Sequence, residues 1–478
     1  MTANPVVFVS VPHGGAAGNV LRTGLIGRLL ESDVRCDIVL LSPLVGDPAF
    51  VREFTHPRVT LADLPPHRPG GLEGRLMALM QAAYLESGVT ESVRIRRQEA
   101  IANKTVRWIR VKRWLATVMA PSMVRTPTRY QLIDRLVSHP WADELFERYR
   151  PALVVTSSPG LIFSELPLLR TAVRRRVRSV AVDPSWDNFT NKLLPVRRVS
   201  RVIVWNQLMK QQAVDLHGYR PEEVRISGAP QWDLYFRDGT ITPRDAFFRQ
   251  IGADPSRKLI TLTTSPRELY PHFSHLVRTL VAAMESGKWG RPAQLLVRVH
   301  PRDELDAYAG FRGVPHLIIE KPFRATVRAG DGLAVDVTAD TQRHLANTLC
   351  HSDVVVQVAS TIAIEAAIFD TPVVNVAFDG ETPAEWVQSA RRYLRFTHFV
   401  NITRHGAVST ADTPPQMVDA IARYLSDPSL DREGRARVVA EQCEFLDGRA
   451  AERVAAFVAE ELADVCGVPA RVPAAVGE

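Results

Sequence analysis

The stretch that most limits what this chain can become is 352–379, SDVVVQVASTIAIEAAIFDTPVVNVAFD. Asp353 to Val358 is a short, valine-rich apolar run, as a strand covered on both faces must be. Ala359-Ser360-Thr361 supplies a polar turn, and Ile362 to Phe369 continues from that cap as a helix. Asp370-Thr371-Pro372 stops the helix, and Val373 to Ala377 reads as the next strand. The start of a helix after a buried strand offers unpaired backbone N–H groups and a favourable dipole to a phosphate. Glu365 then lies one turn inside, within reach of a ribose whose diphosphate sits at Ser360 and Thr361. An ordinary capped βαβ unit explains the same residues, so the remainder of the chain has to decide.

The alternation recurs along the whole length. With 478 residues there is chain for two or three domains. Val6 to Val11 is a buried-strand run, followed by the glycine-rich turn Pro12 to Asn19 and a helix from about Val20 to Leu30. That order opens a doubly wound α/β domain. It lacks GxGxxG and an acid closing the second strand, which disfavours nicotinamide binding. From about 73 to 149 the periodicity is helical, and strands then resume near 152, 179, 201 and 224. A polar, proline-containing stretch near 237–243 reads as a linker. A second α/β set follows, with strands at 259–263, 294–299, 316–320 and 333–337 ahead of the opening stretch. The expected fold class is therefore α/β, with two Rossmann-like domains facing a cleft. Residues 1–236 form the first, with a helical insert at about 73–149. Residues 244–430 form the second, and helices in 431–466 pack back towards the first.

Lys and Arg exceed Asp and Glu by 59 − 52 = 7, a surplus that suits nucleic acid, anionic lipid or phosphorylated substrates without choosing among them. Ten of the basic residues fall between Arg94 and Arg129, against the single acid Glu99. On a helix Trp108, Val111, Trp114, Leu115, Val118 and Met119 share one side, with Arg110, Lys112 and Arg113 mainly opposite. Such a segment suits an anionic membrane surface, and a solvated helix packed on its own domain is the plain alternative. No nucleic-acid module accompanies the charge, so nucleic acid is not an expected partner. No apolar run approaches the ~20 residues of a spanning helix, and no secretory leader opens the chain. Cys36, Cys350, Cys443 and Cys466 form no CxxC pair. The expected location is cytoplasmic, at most peripheral on the inner face of the cell membrane.

His300-Pro301 after a strand, Ser360-Thr361 with Glu365-Ala366, Thr371-Pro372-Val373-Val374 and Asp447 to Arg453 occur in order over about 200 residues. In this the chain resembles the GT-B glycosyltransferases, and its second half the branch of CDP-glycerol glycerophosphotransferases and surface-polysaccharide transferases. His13-Gly14-Gly15 with Gly18 is similar to the glycine-rich acceptor loop of N-acetylglucosaminyl transferases. The large basic insert has no counterpart in that resemblance, which leaves the acceptor open.

The resemblance implies a transferase moving a glycosyl or polyol-phosphate group from a nucleotide-activated donor to a surface-glycan or lipid-linked acceptor. The donor, a nucleotide sugar or CDP-polyol, is a substrate, and no cofactor is expected. No DxD pair follows a strand, so the transfer is expected to be metal-independent. A nucleotide-sugar 2-epimerase, which would want further carboxylates in the cleft, and a non-catalytic nucleotide- or glycan-binding protein are the competing readings. The expected donor-site residues are Ser265, Arg267, His300, Ser360, Thr361 and Glu365. The catalytic candidates are His13, Asp187 and His300; His13 and Asp187 both qualify as base, and the sequence does not choose. Gly14, Gly15, Trp186, Asn188 and Lys192 are the acceptor-side candidates, because a glycine loop and an aromatic–amide–lysine loop suit hydroxyl-rich substrates.

Overall fold

A computed structural model describes residues 4–103, 134, 137–192, 198–325 and 335–468. Two parallel sheets dominate it, seven strands in the first half and six in the second. The strands of the first are β1 Val6–Ser10, β2 Asp37–Leu41, β3 Val59–Ala62, β4 Leu153–Thr156, β5 Arg178–Val182, β6 Arg201–Val204 and β7 Val224–Ile226. They lie in the order β3-β2-β1-β4-β5-β6-β7. Val7, Phe8 and Val9 of β1 are buried, as are all four residues of β4, because helices cover both faces of such a sheet.

The second half opens with β8 Lys258–Thr263, β9 Ala293–Arg298 and β10 Leu317–Glu320. Next come the two-residue strands β11 Arg324–Ala325 and β12 Val335–Asp336, then β13 Val354–Gln357, β14 Val373–Val376 and β15 Ser409–Ala411. The sheet order is β10-β9-β8-β13-β14-β15. The strand expected near 333–337 is not part of this sheet; β12 pairs antiparallel with β11 in a separate hairpin. Strand order therefore reverses direction between β1 and β4 in one half and between β8 and β13 in the other. Those are the two places where a parallel sheet opens a crevice beyond its strand ends.

Helices Gly71–Ser87 and Glu91–Ala102 begin the insert, and Pro140–Tyr149 ends it. Within 94–129, the residues from Arg94 to 103 are described; the rest of the basic segment, Trp108 and Trp114 included, lies outside the described residues. Arg97 pairs with Glu86 at 2.9 Å, and Arg96 lies over the Phe396 ring at 5.2 Å. Among the described residues no helix is long and apolar enough to cross a membrane.

The final helix, Ala450–Cys466, returns to the first half. Its Val454, Ala455, Val458 and Leu462 join the core under β1, β2 and β4. Asp233 accepts the Ala450 and Ala451 N–H groups at 2.9 and 2.7 Å, anchoring the start of that helix.

The halves meet tightly beside the first glycine turn. A Cβ on Gly18 would lie 2.8 Å from the Val337 side chain and from its carbonyl oxygen, and backbone cannot swing aside as a long side chain does. Gly18→Ala is expected to cost about 1–3 kcal/mol by overpacking. Urea denaturation measures it, with Gly27→Ala, which meets nothing within 4 Å, as the control.

Candidate functional site

Both switch points feed one cavity of about 680 Å³ between the halves. From the first half it is lined by His13, Gly15 and Asn19 after β1, Ser158 after β4, and Ser185, Asn188 and Lys192 after β5. From the second it takes Thr263 and Thr264 at the end of β8, Arg298 and His300 at the end of β9, and Ser360, Thr361 and Glu365 after β13. Tyr235, in the segment joining the halves, completes the wall. Residues from seven separate segments of the chain thus share one opening.

On the second-half wall, Ala359 takes a φ of +36°, a left-handed backbone that a residue with a Cβ adopts only under constraint. The Asn375 Oδ1 atom holds it by accepting the Ala359 N–H at 2.8 Å. Ser360 Oγ accepts the Ile362 N–H at 3.3 Å, just ahead of the two-turn helix Ile362–Ile368, whose N-cap residue is Thr361. Glu365 follows one turn later and accepts a hydrogen bond from the Tyr235 hydroxyl. Burial pushes its carboxyl up to about 7, against the opposing pull of the Tyr235 hydroxyl and Arg298.

Arg298, the last residue of β9, is 5% exposed. Its Nη1 donates to Glu320 at 3.2 Å and to His344 Nδ1 at 2.9 Å. The charge thus stands at the cavity wall, locked by two partners. His300 Nδ1 accepts the Arg302 backbone N–H at 3.0 Å, while the His300 backbone N–H donates to Thr264 Oγ1 at 2.9 Å. Burial, reinforced by Arg302, drops its pKa to about 4. The ring is neutral at physiological pH, and with Nδ1 accepting, its proton sits on Nε2.

The first-half wall repeats the device. His13 caps the turn Gly14–Ala16, its Nδ1 accepting the Ala16 N–H at 3.1 Å. Gly15 lines the cavity, whereas Gly14 is buried beneath it. Asn188 lines the wall, donates to Asp183, and has a buried Oδ1 with no protein partner. Asp183 itself is 1% exposed, and burial lifts its carboxyl to about 7.

Other expected residues stand apart from the lining. Asp187 binds Ser185 Oγ and Asn191 and lies 3.9 Å from Lys192 Nζ. Burial would raise its pKa, but Lys192 and His398 outweigh burial and hold it well below the usual range. Trp186 packs edge-on against His398 at 4.9 Å and near Phe399, joining the halves. Ser265 and the exposed Arg267 sit just past Thr264, outside the lining. Arg298 and Tyr235 were not anticipated; a lone arginine inside the apolar run LLVRV was the available signal for the first.

Glu365 also makes a pH prediction. A carboxyl whose folded pKa is raised contributes stability below its ordinary value near 4.5, and loses it as pH rises through about 7. Between pH 4.5 and 8 the wild type should lose up to about 3 kcal/mol relative to Glu365→Gln. Melting temperatures of the two proteins across that range measure the divergence.

Residues 166–460 match the family model described as CDP-Glycerol:Poly(glycerophosphate) glycerophosphotransferase. The chain belongs to that family. The match runs from the helix after β4, through the whole second sheet, into the final helix, and so contains the second-half wall of the cavity. The chain is also similar to the lipid-A-disaccharide synthase of Syntrophotalea carbinolica, 24% identical over 283 residues. That alignment covers 57% of this chain and 64% of the relative, just under two thirds of its length. Among solved structures, the UDP-GlcNAc 2-epimerase of Neisseria meningitidis bound to UDP-GlcNAc superposes with a TM-score of 0.54 at 9% identity, covering 96% of this chain and 100% of that one. The UDP-GlcNAc 2-epimerase of Methanocaldococcus jannaschii gives 0.52 at 11% identity, covering 96% and 99%. At these identities the likeness establishes the two-domain GT-B fold of this family member.

Proposed function

We propose that the protein is a nucleotide-dependent transferase. The second half holds a nucleotide-activated donor, the first half holds a hydroxyl acceptor, and a glycosyl or polyol-phosphate group passes between them. The observation that carries this reading is the convergence of both sheets' switch points on one cavity. One wall offers Ser360, Thr361, His300 and Arg298, which suit a diphosphate; the other offers His13, Gly15, Asn188 and Lys192, which suit a hydroxyl-rich acceptor.

Transfer develops negative charge on the departing phosphate. Arg298 supplies a fixed positive charge behind it, and the His300 Nε2–H donates without bringing a titrating charge of its own. Fixed donors of this kind support transfer without a metal, and added Mg2+ or Mn2+ should leave the rate unchanged. The family and the nucleotide sugar in the Neisseria relative support a nucleotide donor. An epimerase would want further carboxylates in the cleft, whereas Glu365 is the one carboxylate among the described lining residues, which favours transfer. The acceptor is a surface-glycan or lipid-linked hydroxyl, met in the cytoplasm at the membrane face.

The two donor chemistries leave different products. Attack of the acceptor oxygen on a sugar carbon releases a nucleoside diphosphate, whereas attack on the β-phosphorus of a CDP-polyol releases CMP. Incubation with CDP-glycerol and UDP-sugars, with nucleotides resolved by anion exchange, should give acceptor-dependent release of one of these. Binding without release across acceptors would establish a binding protein instead. Ser360→Ala with Thr361→Ala should weaken CDP or UDP binding more than cytidine or uridine binding, and equal losses would remove the diphosphate seat.

A further inference from the structure

The neck of the helical insert gathers a cluster that the cavity does not use. His67, in the segment after β3, places Nε2 3.2 and 3.1 Å from the two Glu73 oxygens. Glu73 lies in the first turn of Gly71–Ser87, and His139 stands at the other end of the insert, just before helix Pro140–Tyr149. The two imidazoles are 4.8 Å apart, edge to face. His139 is 6% exposed, and its Nε2, 4.0 Å from Glu73 Oε1, has no hydrogen-bond partner. One ligand atom from each of the three residues lies within 4.8 Å of the others.

We infer that His67, Glu73 and His139 form a structural site for a borderline divalent cation, with Zn2+ as the fitting ion. Two imidazoles and one carboxylate select such an ion over Mg2+ or Ca2+, which take oxygen ligands. Zinc bonds of about 2.0–2.2 Å require ligand atoms roughly 3.3 Å apart. The His67–Glu73 separation already meets that, and the His139–Glu73 separation needs a contraction of under 1 Å. A buried imidazole nitrogen 4.0 Å from a carboxylate is too far for a hydrogen bond and would be costly to leave unmet. A cation between them satisfies it. Arg170 holds the carboxylate from behind through Glu73 Oε1, and Asp134 Oδ1 lies 3.8 Å from Arg170 Nε.

The site would close a loop of 139 − 73 = 66 residue steps, pinning both ends of the insert to the helix Leu166–Arg174 that carries Arg170. Zinc at this neck is a staple remote from the chemistry, so its test reads metal and stability.

The full chain, purified without a histidine tag, should carry about one zinc per molecule by mass spectrometry, falling below about 0.2 in His67→Gln and His139→Gln. After removal of metal by chelator, Zn2+ alone should raise the wild-type melting temperature by about 5 °C or more at saturating concentration, and leave His67→Gln unmoved. His67 is half-buried, so that variant tests the site even if His139→Gln fails to fold. Co2+ in place of zinc should give visible d–d absorption in the wild type only. Equal zinc content in wild type and His67→Gln, or no stabilisation of the metal-free chain, would overturn the site and leave a hydrogen-bonded His–Glu cluster.

Discussion

Replacing His300 with alanine is expected to lower kcat about 10²–10³-fold, the usual loss for one donor aimed at developing charge. His300→Gln should recover much of it, because an amide N–H can reach where Nε2–H points. Folding should change little, since the His300 backbone N–H bond to Thr264 survives both substitutions. The pH profile separates donor from base. A base with an ordinary imidazole pKa would impose a rising limb near pH 6.5. A ring already neutral above about pH 4 imposes none, so the contribution of His300 should be flat from pH 5 to 8. Acceptor-dependent nucleotide release by the wild type and both variants over that range checks both statements. A limb near pH 6.5 that vanishes in His300→Gln would assign proton transfer to this residue.

The second large effect falls on the clasp between the halves. Arg22 is inserted between Glu53 of its own half and Asp336 of the other, with side-chain exposures of 4% for Arg22 and 2% for Asp336. Its Nη1 reaches Asp336 Oδ1 at 2.5 Å and the Val337 carbonyl at 2.8 Å, and Nη2 reaches Asp336 Oδ2 at 3.0 Å. This fork-to-fork pair fixes the hairpin β11–β12 against the glycine turn after β1. Arg22→Ala takes this guanidinium from a buried carboxylate and should destabilise by about 3–5 kcal/mol, while Arg22→Leu with Asp336→Leu should cost less. A double-mutant cycle in urea measures the coupling, expected at about 2 kcal/mol or more. A coupling near zero would make the contact a passive neighbour. Because the clasp borders the cavity, Arg22→Ala should also raise KM for both substrates.

Strand identity was legible because helices on both faces demand continuous apolar runs; Val354–Gln357 and Val373–Val376 sit within a residue or two of expectation. The cavity gathers His13, Gly15, Asn188, Lys192, His300, Ser360, Thr361 and Glu365 because post-strand loops of a parallel sheet collect at one edge. What stayed hidden depends on distance along the chain. The Tyr235 bond to Glu365 spans 130 residues and the Arg22 clasp 314, separations no local pattern encodes. Trp186 has the composition of a sugar platform, yet its ring is spent on His398 across the interface. β12 falls within the run expected at 333–337, but its pairing with β11 in a hairpin was illegible for another reason. Two residues each cannot establish a period of two, and only the antiparallel partner makes them strands.

The return of Ala450–Cys466 has a consequence for biosynthesis. The half made earlier on the ribosome keeps an apolar floor that this later-made helix helps to cover: Val458 and Leu462 sit under β1 and β4, and Arg178 awaits Glu461. That half must wait, partly bare, while more than two hundred further residues are translated and folded. Its exposure to chaperones and to wrong partners is thereby set by elongation time rather than by its own folding rate.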